Sequence, residues 1–221
     1  MDMKFEPLEH RSDDWHKTRL GMPTASQFHR IVTPGGKARI PARSKSAEAY
    51  MAELIAEKIF GYSMQKDISD LPAVRWGNQY EPEAAGMLAD ILAGEGATLA
   101  PGGFFSDDRE RYGASPDRIV ISGNKRELVE IKCPYLIPNH VANLLFDDDD
   151  HRVQMQGQLM VSGYDAVHFF SYHPLCPPHH QVVKRDNDFI AGMRKIIEQF
   201  CDELVVERSR ARKMGEWKVE P

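Results

Sequence analysis

The stretch "GASPDRIVISGNKRELVEIKCP", residues 113–134, sets Asp117, Glu130 and Lys132 among residues that otherwise suit a buried strand pair. The runs "RIVI" (118–121) and "ELVEIK" (127–132) are rich in Val and Ile and flank Ser122-Gly123-Asn124-Lys125, the pattern of a β-hairpin. A two-residue loop at Gly123-Asn124 pairs position 118 with 129 and sets Asp117 opposite Glu130, where Cβ atoms lie roughly 5 Å apart. Alternation along the strand puts Glu130 and Lys132 on one face and Ile131 on the other. Two carboxylates that close repel unless a positive charge lies between them. Mg²⁺, a hard cation that takes oxygen ligands and keeps several waters, fits that place. Lys132 on the same face could orient an attacking water or stabilise charge developing on a phosphate. The chemistry implied is metal-dependent phosphodiester hydrolysis. The pattern is short and common, and taken alone it better suits an edge hairpin with solvated charges and one cross-strand pair, so the rest of the chain must decide.

The elements that would position these groups can be read from periodicity. Residues 46–61, with Ser46 as cap and Gly61 as stop, and residues 76–94 read as amphipathic helices; Pro82 must begin or kink the second. A strand is expected near residues 103–106, a helix over 151–163, strands over 166–172 and 180–185, and a long helix over 188–207. Helices flanking a central mixed sheet make one α/β domain. "FDDDD" (146–150) reads as an exposed loop, because adjacent acids repel and suit water. "HPLCPPHH" (173–180) brings His173, Cys176, His179 and His180 together, but with one cysteine and no second ligand pair it reads as a surface loop rather than a zinc site.

Composition bounds the function. With 221 residues, 42% hydrophobic and 28% charged, the chain has ample core and an ordinary soluble surface. No run approaches the ~18 apolar residues of a membrane span, and the acidic, polar N-terminus does not resemble a signal peptide. Cys133, Cys176 and Cys201 lack paired spacing, consistent with reduced thiols in a cytoplasmic setting. The net charge of −5 argues against extensive nonspecific DNA coating but allows an acidic metal site beside a confined basic groove. Positive charge is local: Lys37, Arg39, Arg43 and Lys45 in "GGKARIPARSK", and four cations in "RSRARK" (208–213), which reads as a solvated tail.

Four collinear segments carry a resemblance: "DDWHKTRLGMPTASQF" (13–28), "RWGNQYE" (75–81), "GASPD…EIKCP" (113–134) and "RVQMQGQLMVSG" (152–163). The chain resembles the PD-(D/E)xK nucleases and, more narrowly, the lambda-exonuclease-type (YqaJ-like viral recombinase, alkaline exonuclease) family. The resemblance implies a restriction-endonuclease-like fold and a 5′-to-3′ exonuclease. Such an enzyme degrades one strand of linear double-stranded DNA from 5′-phosphorylated ends and leaves 3′ overhangs. It also implies two Mg²⁺ ions, which Mn²⁺ can replace, a homotrimer ring threaded by DNA, and a phage single-strand annealing protein as partner in a bacterial host.

By the same resemblance Asp117, Glu130, Glu81 and the Ile131 carbonyl are the metal ligands, and Lys132 is the catalytic lysine. Arg19, Ser26, Ser115 and Gln154 hold the 5′ phosphate, Val74 is the wedge that splits the terminal base pair, and Lys37, Arg39 and Arg43 lie in a DNA-contacting loop. His151 stands where the family pattern has tyrosine. Two other readings stay open at this level: an endonuclease on the same core, which would cut closed circles, and a DNA-end-binding recombination scaffold without catalysis.

Overall fold

The computed structural model describes residues 3–32, 44–65, 68–145 and 149–218. In chain order the elements are β1 (Met3–Glu6), α1 (Asp13–Arg19), a 3₁₀ helix (Ala25–Arg30), α2 (Lys45–Phe60), α3 (Pro72–Ala93), β2 (Thr98–Pro101), β3 (Phe104–Asp107), β4 (Gly113–Ala114), β5 (Arg118–Ser122), β6 (Lys125–Lys132), α4 (Ile137–Leu145), α5 (Asp149–Ser162), β7 (Ala166–Ser171), β8 (His179–Lys184) and α6 (Asn187–Lys213). Five strands form a mixed sheet in the order β2-β5-β6-β7-β8, in which only β6 and β7 run parallel. A smaller antiparallel sheet, β1-β3-β4, lies beside it.

The hairpin has the register that a two-residue loop requires: Arg118 opposes Val129 and Ser122 opposes Lys125, with Gly123 at φ +57° in the left-handed region. The alternation in β6 divides the core. Leu128 packs with Phe28, Leu159, Phe169 and Ile197 on the face covered by α5 and α6, whereas Val129 and Ile131 pack with Leu88, Leu92 and Phe170 on the face covered by α3. Central strands lying between two apolar layers explain the near-continuous hydrophobic runs in the sequence. Glu130 falls on the α5 face.

Element boundaries differ from the sequence reading where local chemistry decides. Ser44, not Ser46, caps α2, because its Oγ accepts from the Ala47 N–H at 3.1 Å while Ser46 lies within the first turn. The stop at Gly61 is as read, in a left-handed conformation. Helix α3 starts at Pro72 rather than 76, since a proline at the first helical position needs no N–H partner. It then runs through Pro82, where the missing N–H removes one helical hydrogen bond just after Glu81. Residues 208–213 are not a solvated tail but the end of α6: Arg208 donates to the Gly21 carbonyl at 2.9 Å, and cations suit a helix C-terminus. Asp149 and Asp150, read as loop, begin α5; residues 146–148 lie outside the described residues.

The loop 173–180 is only partly surface. His173 is buried and stacks on Trp76, and His179 and His180 belong to β8. The fully buried His140 fixes this corner, with Ser171 Oγ at 2.8 Å and the Pro177 carbonyl at 2.9 Å from its two ring nitrogens. Among the described residues, these histidines and Cys176 form no group able to hold a metal.

Gly102 sets the position of Asp117 from below. A Cβ there would lie 1.8 Å from the Pro116 carbonyl oxygen and 2.9 Å from the Asp117 carbonyl carbon, so the two backbones can approach only because residue 102 has no side chain. Gly102→Ala is therefore expected to lower unfolding stability by about 1–3 kcal/mol through forced backbone displacement. Urea unfolding measures this, and a variant as stable as wild type would show that the contact relaxes without cost.

Candidate active site

Asp117 sits at the mouth of the hairpin. Its N–H donates to the Val129 carbonyl at 3.0 Å, and its Oδ2 accepts from the Ile131 N–H at 2.7 Å. Glu130, one position across, is almost fully buried. Its Oε1 accepts from Lys132 Nζ at 2.5 Å and from Gln154 Nε2 at 2.6 Å, and its Oε2 accepts from Gln158 Nε2 at 2.6 Å. Gln154 and Gln158 are one helical turn apart on α5 and so address the same strand. Glu81, from the middle of α3, is held by Arg11 at 3.0 Å, with Arg118 at 3.6 Å from its other oxygen.

The charges are crowded. Burial, and next the negative charge of Glu130, push the Asp117 carboxyl up to about 8, although Lys132 and the Ile131 N–H act the other way. His10, in the loop before α1, is lowered to about 4 by burial and by the adjacent Arg11. The donor set fits a divalent cation: one ligand atom each from His10, Glu81 and Asp117 lie within 4.8 Å of one another, from three separate parts of the chain. Beside them, Cys133 is pushed up to about 12, chiefly by burial, and its thiol stays protonated.

A second cluster adjoins the first. Arg19, at the end of α1, places its Cζ over the Trp15 ring, 3.9 Å from the centroid, and reaches Thr24 Oγ1 at 3.4 Å, with Ser26 Oγ 3.3 Å beyond. Burial lowers its pKa to about 10, which leaves it charged at neutral pH. No carboxylate pairs with it among the described residues. Trp15 Nε1 donates to Ser115 Oγ at 2.5 Å, and Ser115 in turn donates to the Gly103 carbonyl at 3.0 Å.

Of the site residues read from sequence, Asp117, Glu130, Lys132, Glu81 and Ile131 come together at the hairpin mouth, and Arg19, Ser26 and Ser115 gather around Trp15 and Thr24 beside them. Gln154 lies on Glu130 rather than on Arg19. Val74 is half-buried in the first turn of α3. Lys37, Arg39 and Arg43 lie outside the described residues. Contributors without a sequence signal of their own are His10, Arg11 and Arg118. Trp15 stood inside a matching segment without a role, and Gln158 could have been found from its spacing of four residues after Gln154.

Fold and site together define the restriction-endonuclease-like class, a mixed sheet flanked by helices with the acid, acid and lysine on one hairpin. A model of the YqaJ-like viral recombinase domain matches residues 14–165, and the chain belongs to that family. Among solved structures the chain is similar to an alkaline exonuclease, LHK-Exo, from Laribacter hongkongensis, with 26% identity, a TM-score of 0.75, and coverage of 91% of this chain and 97% of that one. A structure of LHK-Exo in complex with dAMP matches equally well. A phage related exonuclease from Haemophilus somnus 129PT shares the fold at 17% identity and a TM-score of 0.61, covering 84% of this chain and 96% of that one. No curated protein matches. Among the described residues no helix is long and apolar enough to cross a membrane.

The raised Asp117 pKa has a consequence for stability. An unfolded aspartate titrates near 3.8, and the folded one near 8. Between these values the folded state binds more protons, so its stability falls as pH rises through that window. In chelator-treated protein, melting temperature should decline from about pH 5 to about pH 8, and Asp117→Asn should flatten that decline and melt higher at the alkaline end. Parallel pH profiles for the two proteins would show that Asp117 is not the group responsible.

Proposed function

We propose that this protein is a divalent-metal-dependent exonuclease that digests one strand of linear double-stranded DNA from 5′-phosphorylated ends, in the 5′-to-3′ direction, and leaves 3′ overhangs for phage-type recombination by strand annealing. The observation that carries the reading is the convergence of Glu81 and Asp117 beside the Glu130–Lys132 pair. The names of the similar structures, both exonucleases, support it. We take the whole chain as a single nuclease domain, acting as a ring-shaped homotrimer inside a bacterial cell with a phage annealing protein as partner.

Glu81, Asp117, Glu130 and the Ile131 carbonyl would hold the ions, Mg²⁺ with Mn²⁺ as substitute. Bound ions would generate hydroxide from water at neutral pH and offset charge on the scissile phosphate. Lys132 Nζ would orient the attacking water, and Glu130 fixes that amine. Gln154 and Gln158 hold the Glu130 carboxylate from the other side, so Lys132 has a defined position. Val74 would act as the wedge, and Lys37, Arg39 and Arg43 would contact the duplex.

Polarity follows from Arg19. A guanidinium presents a planar fork that matches a phosphate, and this one has hydroxyls beside it and, among the described residues, no carboxylate paired with it. A terminal 5′ phosphate carries more charge than an internal diester and is preferred. Cleavage between phosphorus and the 3′ oxygen of the terminal nucleotide releases a nucleoside 5′-monophosphate and leaves phosphate on the next 5′ end, which restores the ligand for Arg19. The dAMP in the LHK-Exo complex is of the same chemical kind as that product.

The test is cleavage of linear and closed circular duplexes, with 5′-phosphate or 5′-hydroxyl ends and with Mg²⁺ or chelator. Linear 5′-phosphorylated DNA should be digested much faster than linear 5′-hydroxyl DNA, closed circles not at all, and only with metal; cutting of circles would indicate an endonuclease. Arg19→Ala should lower single-turnover rates on 5′-phosphate ends by ~10²-fold, the scale of one or two charged hydrogen bonds, with little effect on 5′-hydroxyl ends. Equal losses on both would remove Arg19 from end recognition. Lys132→Ala should abolish cleavage while retaining DNA-end binding in Ca²⁺, read by filter binding; retained cleavage with lost binding would make it a binding residue.

A further inference from the structure

We propose that His10 is a direct ligand of the ion held by Glu81 and Asp117, and that this imidazole shifts the site toward first-row transition metals, Mn²⁺ the weakest of them, relative to Mg²⁺. The inference rests on the nuclease reading and adds a nitrogen donor to a site otherwise made of oxygen. Three observations support it. The His10, Glu81 and Asp117 ligand atoms lie within 4.8 Å of one another although they come from a loop, a helix and a hairpin mouth. That spacing suits ligands about 2.0–2.2 Å from a common ion after small inward shifts.

Second, the imidazole is oriented. Its ring meets Trp15 edge-on, with centroids 4.8 Å apart and planes at 89°. Trp15 is buried and anchored by its Nε1 to Ser115, two residues before Asp117. The same indole carries Arg19 on its face, so one side chain positions both a metal ligand and a phosphate ligand. Third, the metal chemistry is selective. Mg²⁺ takes oxygen and water almost exclusively, whereas imidazole suits transition metals, and affinities at mixed N/O sites rise from Mn²⁺ onward.

The experiment is metal binding without DNA, by titration calorimetry with MnCl₂ and MgCl₂ on the intact chain, for wild type, His10→Ala, His10→Gln and Asp117→Asn. Thermal melts in chelator confirm that each variant is folded. His10→Ala should weaken Mn²⁺ binding by about tenfold or more, since even outer partners of metal ligands contribute 10–100-fold, and should leave Mg²⁺ binding nearly unchanged. His10→Gln, which offers only a carbonyl oxygen, should behave like His10→Ala toward Mn²⁺. Pulsed electron paramagnetic resonance of the Mn²⁺-loaded wild type should show a directly bonded nitrogen that disappears in His10→Ala. Unchanged Mn²⁺ affinity, equal losses for both ions, or no nitrogen signal overturns the proposal. If Asp117→Asn also binds metal normally, the failure belongs to the nuclease site itself; if Asp117→Asn loses metal and His10→Ala does not, only the role of His10 fails.

Discussion

Two carboxylates, Asp117 and Glu130, occupy neighbouring positions at the mouth of one hairpin, and their mutual repulsion is the constraint around which the surrounding structure is arranged. Each acid has a different answer to it. Asp117 takes a backbone N–H, that of Ile131, and otherwise drifts toward its protonated form. Glu130 takes three side-chain donors, two amides from α5 and the Lys132 amine. The parallel β6–β7 pair, the crossover that holds α5, and the Gly102 gap beneath Pro116 all serve to keep these donors and acids within hydrogen-bond distance. A local electrostatic conflict is thus resolved by elements far apart in the chain.

Trp15 gives the site its second degree of order. It is the buried residue of a seven-residue helix that could not hold a position by itself. The Ser12 cap, the bond to Ser115 and the stacked Arg19 fix it against the hairpin side of the cleft. The N-terminal segment is therefore tied to the catalytic hairpin by a side chain. Arg19 and Asp117 thus share one support, the Trp15 indole and its bond to Ser115.

The hairpin was legible in the sequence because its register depends on a local fact, a two-residue Gly-Asn loop, and the alternation of β6 follows from that register. The helices were legible in kind because their apolar periodicity is strong; their ends were not, because Ser44 and Ser46 differ only in which oxygen reaches a free N–H. The acids and Lys132 could be named from spacing together with family pattern. His10 and Arg11 could not, since a loop histidine next to an arginine has no periodicity and its meaning comes only from the fold bringing α3 to it. Gln154 shows the converse: the pattern marked the residue, while its observed partner, Glu130, follows from which face of α5 meets β6.

Gln158 shows what the arrangement gives up. Its Nε2 is committed to Glu130, and its buried Oε1 has no hydrogen-bond partner among the described residues. An unsatisfied buried acceptor costs on the order of 1–3 kcal/mol, so a structure selected for stability alone would favour an apolar residue here. Replacing Gln158 that way would leave one oxygen of a buried carboxylate without its donor, and a buried charge lacking a partner is costlier still. Given Glu130, the glutamine with one orphaned oxygen is the less unfavourable choice. The expense therefore traces back to Glu130, a buried carboxylate that adds nothing to apolar packing and that Lys132, Gln154 and Gln158 are all committed to satisfy.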